Sequence, residues 1–111
     1  MDLTPIGVVS EYFARVRARD LGIVDLFLED ARLVGLGAVR QGRPAILEFY
    51  RGIIERAGPS PRIVGDLLAS GTRVAAEIQI ELTGGATVHA LDLFEIEDSR
   101  IRCLTYFLTS Q

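Results

Sequence analysis

The chain reads as an α+β domain in which three helices pack on one face of an antiparallel strand meander. Apolar residues recur at helical spacing through the first half and at alternate positions through the second. Ser70-Gly71, Gly84-Gly85 and Asp98-Ser99 cut that second half into short runs, and each pair suits a hairpin turn. Successive hairpins make neighbouring strands antiparallel, and helices gathered ahead of them segregate to one side of the sheet. The 111 residues suit a single domain over 1–111. A chain of that size buries roughly two-thirds of the surface it exposes when unfolded.

The elements follow in order. Thr4 caps a first helix and Pro5 suits its opening turn, with Ile6, Val9, Tyr12, Phe13 and Val16 forming one inward stripe. Asp20 caps a short second helix that turns Leu21, Val24, Phe27 and Leu28 inward and Asp25 and Glu29 outward. A short strand covers about Ala31 to Leu36. Gly42-Arg43-Pro44 opens a third helix with the stripe Ile46, Phe49, Tyr50, Ile53, Ile54 and Ala57, and Gly58-Pro59-Ser60-Pro61 stops it. Four strands are then predicted over Arg62–Ala69, Arg73–Leu82, Thr87–Glu97 and Arg100–Thr109.

Composition excludes several classes. A net charge of −3 and a pI near 5.1, with no Lys/Arg face, argue against a nucleic-acid partner. No apolar run approaches the ~20 residues that cross a bilayer, and Met1-Asp2-Leu3-Thr4-Pro5 lacks a signal-peptide pattern. Cys103 is the single cysteine, so the chain forms no internal disulfide and fits a reducing compartment. The expectation is a cytoplasmic protein with no cofactor. No metal is expected either, because the acids do not cluster with His or Cys at ligand spacing. Gly84-Gly85 is a turn rather than a phosphate cradle.

One residue breaks the pattern. Along Val88, Ala90, Asp92, Phe94 and Ile96 one strand face is apolar except for Asp92. A carboxylate without partners is costly to bury, so such an acid is neutral, hydrogen-bonded or kept for chemistry.

The order helix, helix, strand, helix, four strands resembles the nuclear transport factor 2-like superfamily. The matching stretches are Leu28-Glu29-Asp30-Ala31, Gly42-Arg43-Pro44-Ala45-Ile46-Leu47-Glu48-Phe49-Tyr50 and Leu91-Asp92-Leu93-Phe94-Glu95-Ile96-Glu97-Asp98. The superfamily includes ketosteroid isomerases, limonene epoxide hydrolase and SnoaL-like polyketide cyclases. The resemblance implies a cone, also called cystatin-like, in which a curved antiparallel sheet wraps three N-terminal helices around an apolar pocket. It places Tyr12 and Asp92 at the positions of the isomerases' oxyanion hole, where the acid stays protonated to donate a hydrogen bond. Tyr50 matches a supporting tyrosine, and Phe27 stands where some relatives carry a further one. The isomerases' general base, an aspartate ending the short strand, is matched here by Gly35. Epoxide hydrolases use an Asp-Arg-Asp set, and Tyr106 stands where one of those acids belongs, with Glu77 and Gln79 near the others.

These readings lead to a ketosteroid isomerase-like or SnoaL-like protein, leaning to isomerase or lyase chemistry on a small apolar molecule with a carbonyl or phenolic oxygen. Asp92 and Tyr12 are the catalytic candidates; Tyr50, Phe27, Phe94 and Tyr106 are the substrate-binding ones. The alternatives are a non-catalytic ligand-binding or dimeric interaction module, or a polyketide cyclase or epoxide hydrolase-like enzyme. Tyr106 falls at a pocket mouth or a subunit interface. His89 shares the outer strand face with Leu91 and Leu93, and that apolar face, with Phe107, predicts a homodimer. Arg40 and Arg43 are expected in solvent, with an approach to a pocket rim as the alternative.

Overall fold

The structure is a computed structural model and describes residues 3–109. Helix α1 spans Pro5–Arg17. Thr4 caps it by accepting a hydrogen bond from the Gly7 N–H at 3.0 Å, and Arg15 and Arg17 complement the negative end of its dipole. Its inward stripe is Val8, Val9, Tyr12, Phe13 and Val16, while Ile6 is exposed, so the face is turned by part of a step from the expected one.

The second helix is a 3-10 helix over Leu21–Leu26, capped by the Asp20 carboxylate on the Gly22 N–H at 2.8 Å. The tighter winding buries Ile23 and Leu26. Phe27 and Leu28 are therefore not inward helical residues but the first two of strand β1, Phe27–Gly35, with Phe27 fully buried. Strand β2, Ala38–Gln41, was not expected from the sequence. It returns through Leu36-Gly37, both at positive φ, the geometry that closes a two-residue hairpin. Leucine rarely adopts that conformation, so of the two turn residues only Gly37 signals a turn.

Helix α2, Arg43–Ala57, ends at Gly58 in the left-handed conformation. Only Ile46 and Tyr50 of its stripe are fully buried; Phe49 and Ile53 stay partly open because they face a cavity. The strand expected over Arg62–Ala69 is two pieces, β3 (Ser60–Ile63) and β4 (Leu68–Ser70), separated by a turn at Gly65 with φ +72°. Strands β5 (Arg73–Glu81), β6 (Thr87–Glu97) and β7 (Arg100–Leu108) complete the chain.

The seven strands form one sheet in the order β2-β1-β7-β6-β5-β3, with β4 also on β5. The meander β5-β6-β7 is antiparallel, but β1 joins β7 in parallel, so the sheet is mixed. Hairpin signals report only sequential pairings, and this one links distant segments. The helices cover the concave face, and the core centres on Phe13, Phe27 and Phe94. Among the described residues no helix is long and apolar enough to cross a membrane.

On the convex face Leu91 opposes Phe107 across β6 and β7, with 43% and 52% exposure. Beside them the His89 ring bridges Glu77 Oε2 at 2.7 Å and Thr109 Oγ1 at 2.8 Å.

Candidate functional site

Alternation along β6 sends Asp92 to the concave face between Ala90 and Phe94. Its neighbours across the sheet are Ala76 on β5 and Tyr106 on β7. That register brings an acid and a phenol together on adjacent strands, under the helices. They form part of the wall of a cavity of about 740 Å³ between α1, α2 and the sheet. A volume of that order accommodates a drug-sized molecule.

Asp92 is 4% exposed, and among the described residues no hydrogen bond or nearby cation offsets its burial. Desolvation alone pushes its carboxyl from an ordinary 3.8 to about 7. The acid is thus neither satisfied by a tyrosine nor tied to the backbone. Its only outlet is the cavity.

Tyr12 enters from α1 and Tyr50 from α2, and their hydroxyl oxygens lie 2.7 Å apart. Two hydroxyls carry two protons. One lies between the oxygens, which leaves the other free to be donated elsewhere. Burial raises the Tyr12 pKa well above its ordinary value, and the charges of Tyr50 and Asp92 add to the shift. Burial also raises Tyr50, against the pull of the hydrogen bond from Tyr12. Both phenols stay protonated over the working range of a protein. The Tyr12 ring is held edge-on by Phe13 at 5.0 Å and Phe94 at 5.2 Å between centroids.

Phe27 and Phe94 are both fully buried and do not line the cavity; they pack behind the Tyr12 ring, which corrects their expected role as substrate contacts. Strand parity places Phe94 on the concave face, but a phenol stands between both rings and the ligand space. Tyr106 does line the cavity. Its ring lies flat over Gly35, so that a Cβ at position 35 would fall within the ring. Gly35 has an ordinary backbone conformation, so glycine is needed there for space and not for φ. Where the resemblance places a catalytic aspartate, this chain puts the Tyr106 ring.

Arg40 lines the cavity, whereas Arg43 is not part of its wall. Arg40, expected in solvent, is half-buried on β2 with its guanidinium carbon 4.6 Å from the centroid of the Phe49 ring. Phe49 in turn packs against Tyr106 at 6.0 Å between centroids. Arg43, also expected in solvent, is half-buried and donates to the Phe27 carbonyl at 2.9 Å. Neither could be placed while β2 was unseen, since that strand turns Arg40 inward. Burial raises the Tyr106 pKa, while the Arg40 charge and its hydrogen bonding toward the phenol oxygen oppose the shift; the hydroxyl is shut from solvent and makes no well-formed hydrogen bond among the described residues.

The fold and the cavity between helices and concave sheet define a nuclear transport factor 2-like, or cystatin-like, protein. A profile of the SnoaL-like domain matches residues 9–104, and the chain belongs to that family. No curated protein matches it in sequence. Among solved structures it is similar to a candidate ketosteroid isomerase from Kribbella flavida, with a TM-score of 0.87 and 19% identity over 96% of this chain and 78% of that one. It is also similar to a candidate polyketide cyclase from Sinorhizobium meliloti, with a TM-score of 0.83 and 24% identity over 90% and 93% of the two chains. A third neighbour is a protein of ketosteroid isomerase-like fold from Catenulispora acidiphila, at a TM-score of 0.81 and 18% identity over 95% and 86%.

Proposed function

We propose that the cavity binds a small, largely apolar molecule through a carbonyl or phenolic oxygen, which Asp92 and the Tyr12–Tyr50 pair polarise. The observation that carries this reading is a buried carboxyl with no partner among the described residues, facing an apolar cavity. Leaving such a group unpaired costs about 1–3 kcal/mol, and a ligand oxygen would remove that cost. A protonated Asp92 donates to an oxygen that gains negative charge, and the free proton of the tyrosine pair supplies a second donor. Donors fixed before the charge develops contribute on the order of 3 kcal/mol each.

The reaction class is isomerase- or lyase-like proton transfer next to a carbonyl, with Asp92 as the acid at oxygen. Position 35 supplies no base, and Glu48, the other carboxylate of the cavity wall, is exposed and paired with Arg51. Binding without turnover is the second reading, and the Tyr106 ring over Gly35 favours it.

The chain contains no tryptophan, so 2-naphthol fluorescence reports binding without protein background. Wild type is expected to bind 2-naphthol in a single site, and Asp92→Ala to weaken that binding tenfold or more. Equal affinity in the two proteins would refute the role of Asp92. Isomerisation of a cyclic enone by wild type, abolished by Asp92→Asn, selects catalysis over binding alone.

We further propose that the Leu91–Phe107 face is covered by a second copy of the chain. Phe107→Lys should then convert a dimer to a monomer in light scattering; a wild-type monomer would end that idea.

A further inference from the structure

Arg40 differs from the other half-buried arginines. Arg15 bonds Glu11 at 3.0 Å and the Gly22 carbonyl at 2.9 Å, and Arg43 bonds the Phe27 carbonyl. Among the described residues no carboxylate lies within ion-pair distance of Arg40, and its guanidinium approaches the Tyr106 phenol oxygen without a well-formed hydrogen bond. It is held instead over the Phe49 ring, a contact that orients a guanidinium but leaves its N–H groups unused. Next to it the Tyr106 hydroxyl is enclosed, with a proton of its own left to donate. A guanidinium and a phenol therefore meet at one wall of a mostly apolar cavity, and among the described residues no carboxylate balances the guanidinium charge at ion-pair distance.

A guanidinium can only donate, and a phenol held protonated by burial also donates. The missing partner is an acceptor with negative charge and more than one oxygen. One fixed positive charge and one hydroxyl match a carboxylate; a phosphate dianion would leave charge and lone pairs unmet. Resting on the reading of the cavity as a small-molecule site, we propose that Arg40 and Tyr106 form an anion subsite for the carboxylate of a small apolar acid. The remaining oxygen of that acid meets Asp92. The two ends are neighbours by construction, because Asp92 and Tyr106 oppose each other across β6 and β7. The ligand class narrows accordingly to aromatic or alicyclic acids bearing a carbonyl or hydroxyl on the ring system.

Two probes of one shape separate this subsite from the cavity itself: 2-naphthol and 6-hydroxy-2-naphthoate, titrated by fluorescence at low salt. Wild type should bind the acid at least tenfold more tightly than the phenol, and added salt should narrow the gap. Arg40→Met should bring the ratio of affinities to about one, and Arg40→Lys should keep part of it. Tyr106→Phe preserves the ring against Gly35 and should lower the ratio about threefold, which gives a readout should Arg40→Met not fold. Binding of the phenol with no preference for the acid in wild type overturns the anion subsite alone. An undiminished preference in Arg40→Met overturns it as well. Binding of neither probe overturns the subsite together with the small-molecule reading.

Discussion

Wild type should be more stable at pH 5 than at pH 8, and Asp92→Asn should flatten that difference. The folded protein holds the Asp92 proton up to about pH 7, whereas the unfolded chain releases it near the ordinary 3.8. A group with a raised folded pKa contributes fully below its unfolded value, and the contribution is lost as pH rises through the folded value. The window therefore runs from about pH 4 to about pH 7. At 1.36 kcal/mol per unit, a shift from 3.8 to about 7 amounts to roughly 4 kcal/mol between its ends. The group is 4% exposed, so little of this is screened by solvent. An amide carries no such titration. The variant should match wild type near pH 4 and exceed it by a few kcal/mol at pH 8. Urea denaturation of both proteins at several pH values measures the gap. A constant gap from pH 4 to pH 8, or an Asp92→Asn protein clearly less stable at pH 8, would mean that the acid is not held neutral by burial.

Local rules made the fold legible where the deciding interactions were local. The Thr4 cap, the 3.6-residue stripes and the hairpins of β5-β6-β7 are nearest-neighbour effects, and all can be read along the chain. The parallel pairing of β1 with β7 is not local, since it joins Val34 to Thr105. The β1–β2 hairpin failed for a different reason: its turn uses Leu36 at positive φ, where residue type predicts the opposite. That omission had a price in the site, because Arg40 could not be turned inward without β2. Asp92 was legible because strand parity alone assigns its face. Its lack of a partner was not, since satisfaction depends on what α1, α2 and β7 bring around it. The meaning of Gly35 was half legible: the absent base can be read from one position, but the ring that fills its place comes from 71 positions further along, at Tyr106.

That filled place yields the second large effect. Gly35→Ala should cost about 1–3 kcal/mol, the usual range for forcing an added methyl into a packed site. The strain is steric and lies with one ring, because the backbone at 35 is accessible to any residue. Tyr106→Ala should cost a similar amount through lost contact with Phe49 and Gly35. The two costs should not add. With the ring gone the methyl meets empty space, so Gly35→Ala/Tyr106→Ala should be no less stable than Tyr106→Ala alone. The coupling energy, read from a double-mutant cycle in urea, is then close to the whole cost of Gly35→Ala. Strict additivity would mean that the ring does not rest on Gly35. The same pair tests the chemistry. Gly35→Asp/Tyr106→Ala places a carboxylate on the inward face of β1, in the same cavity as Asp92. If oxygen polarisation is already built and only a proton acceptor is wanting, this double variant should isomerise a cyclic enone faster than wild type. The added Asp92→Asn substitution should remove the gain. A double variant that folds, binds 2-naphthol and still turns over no enone would leave the cavity as a binding site whose polarising groups do not serve proton transfer at carbon.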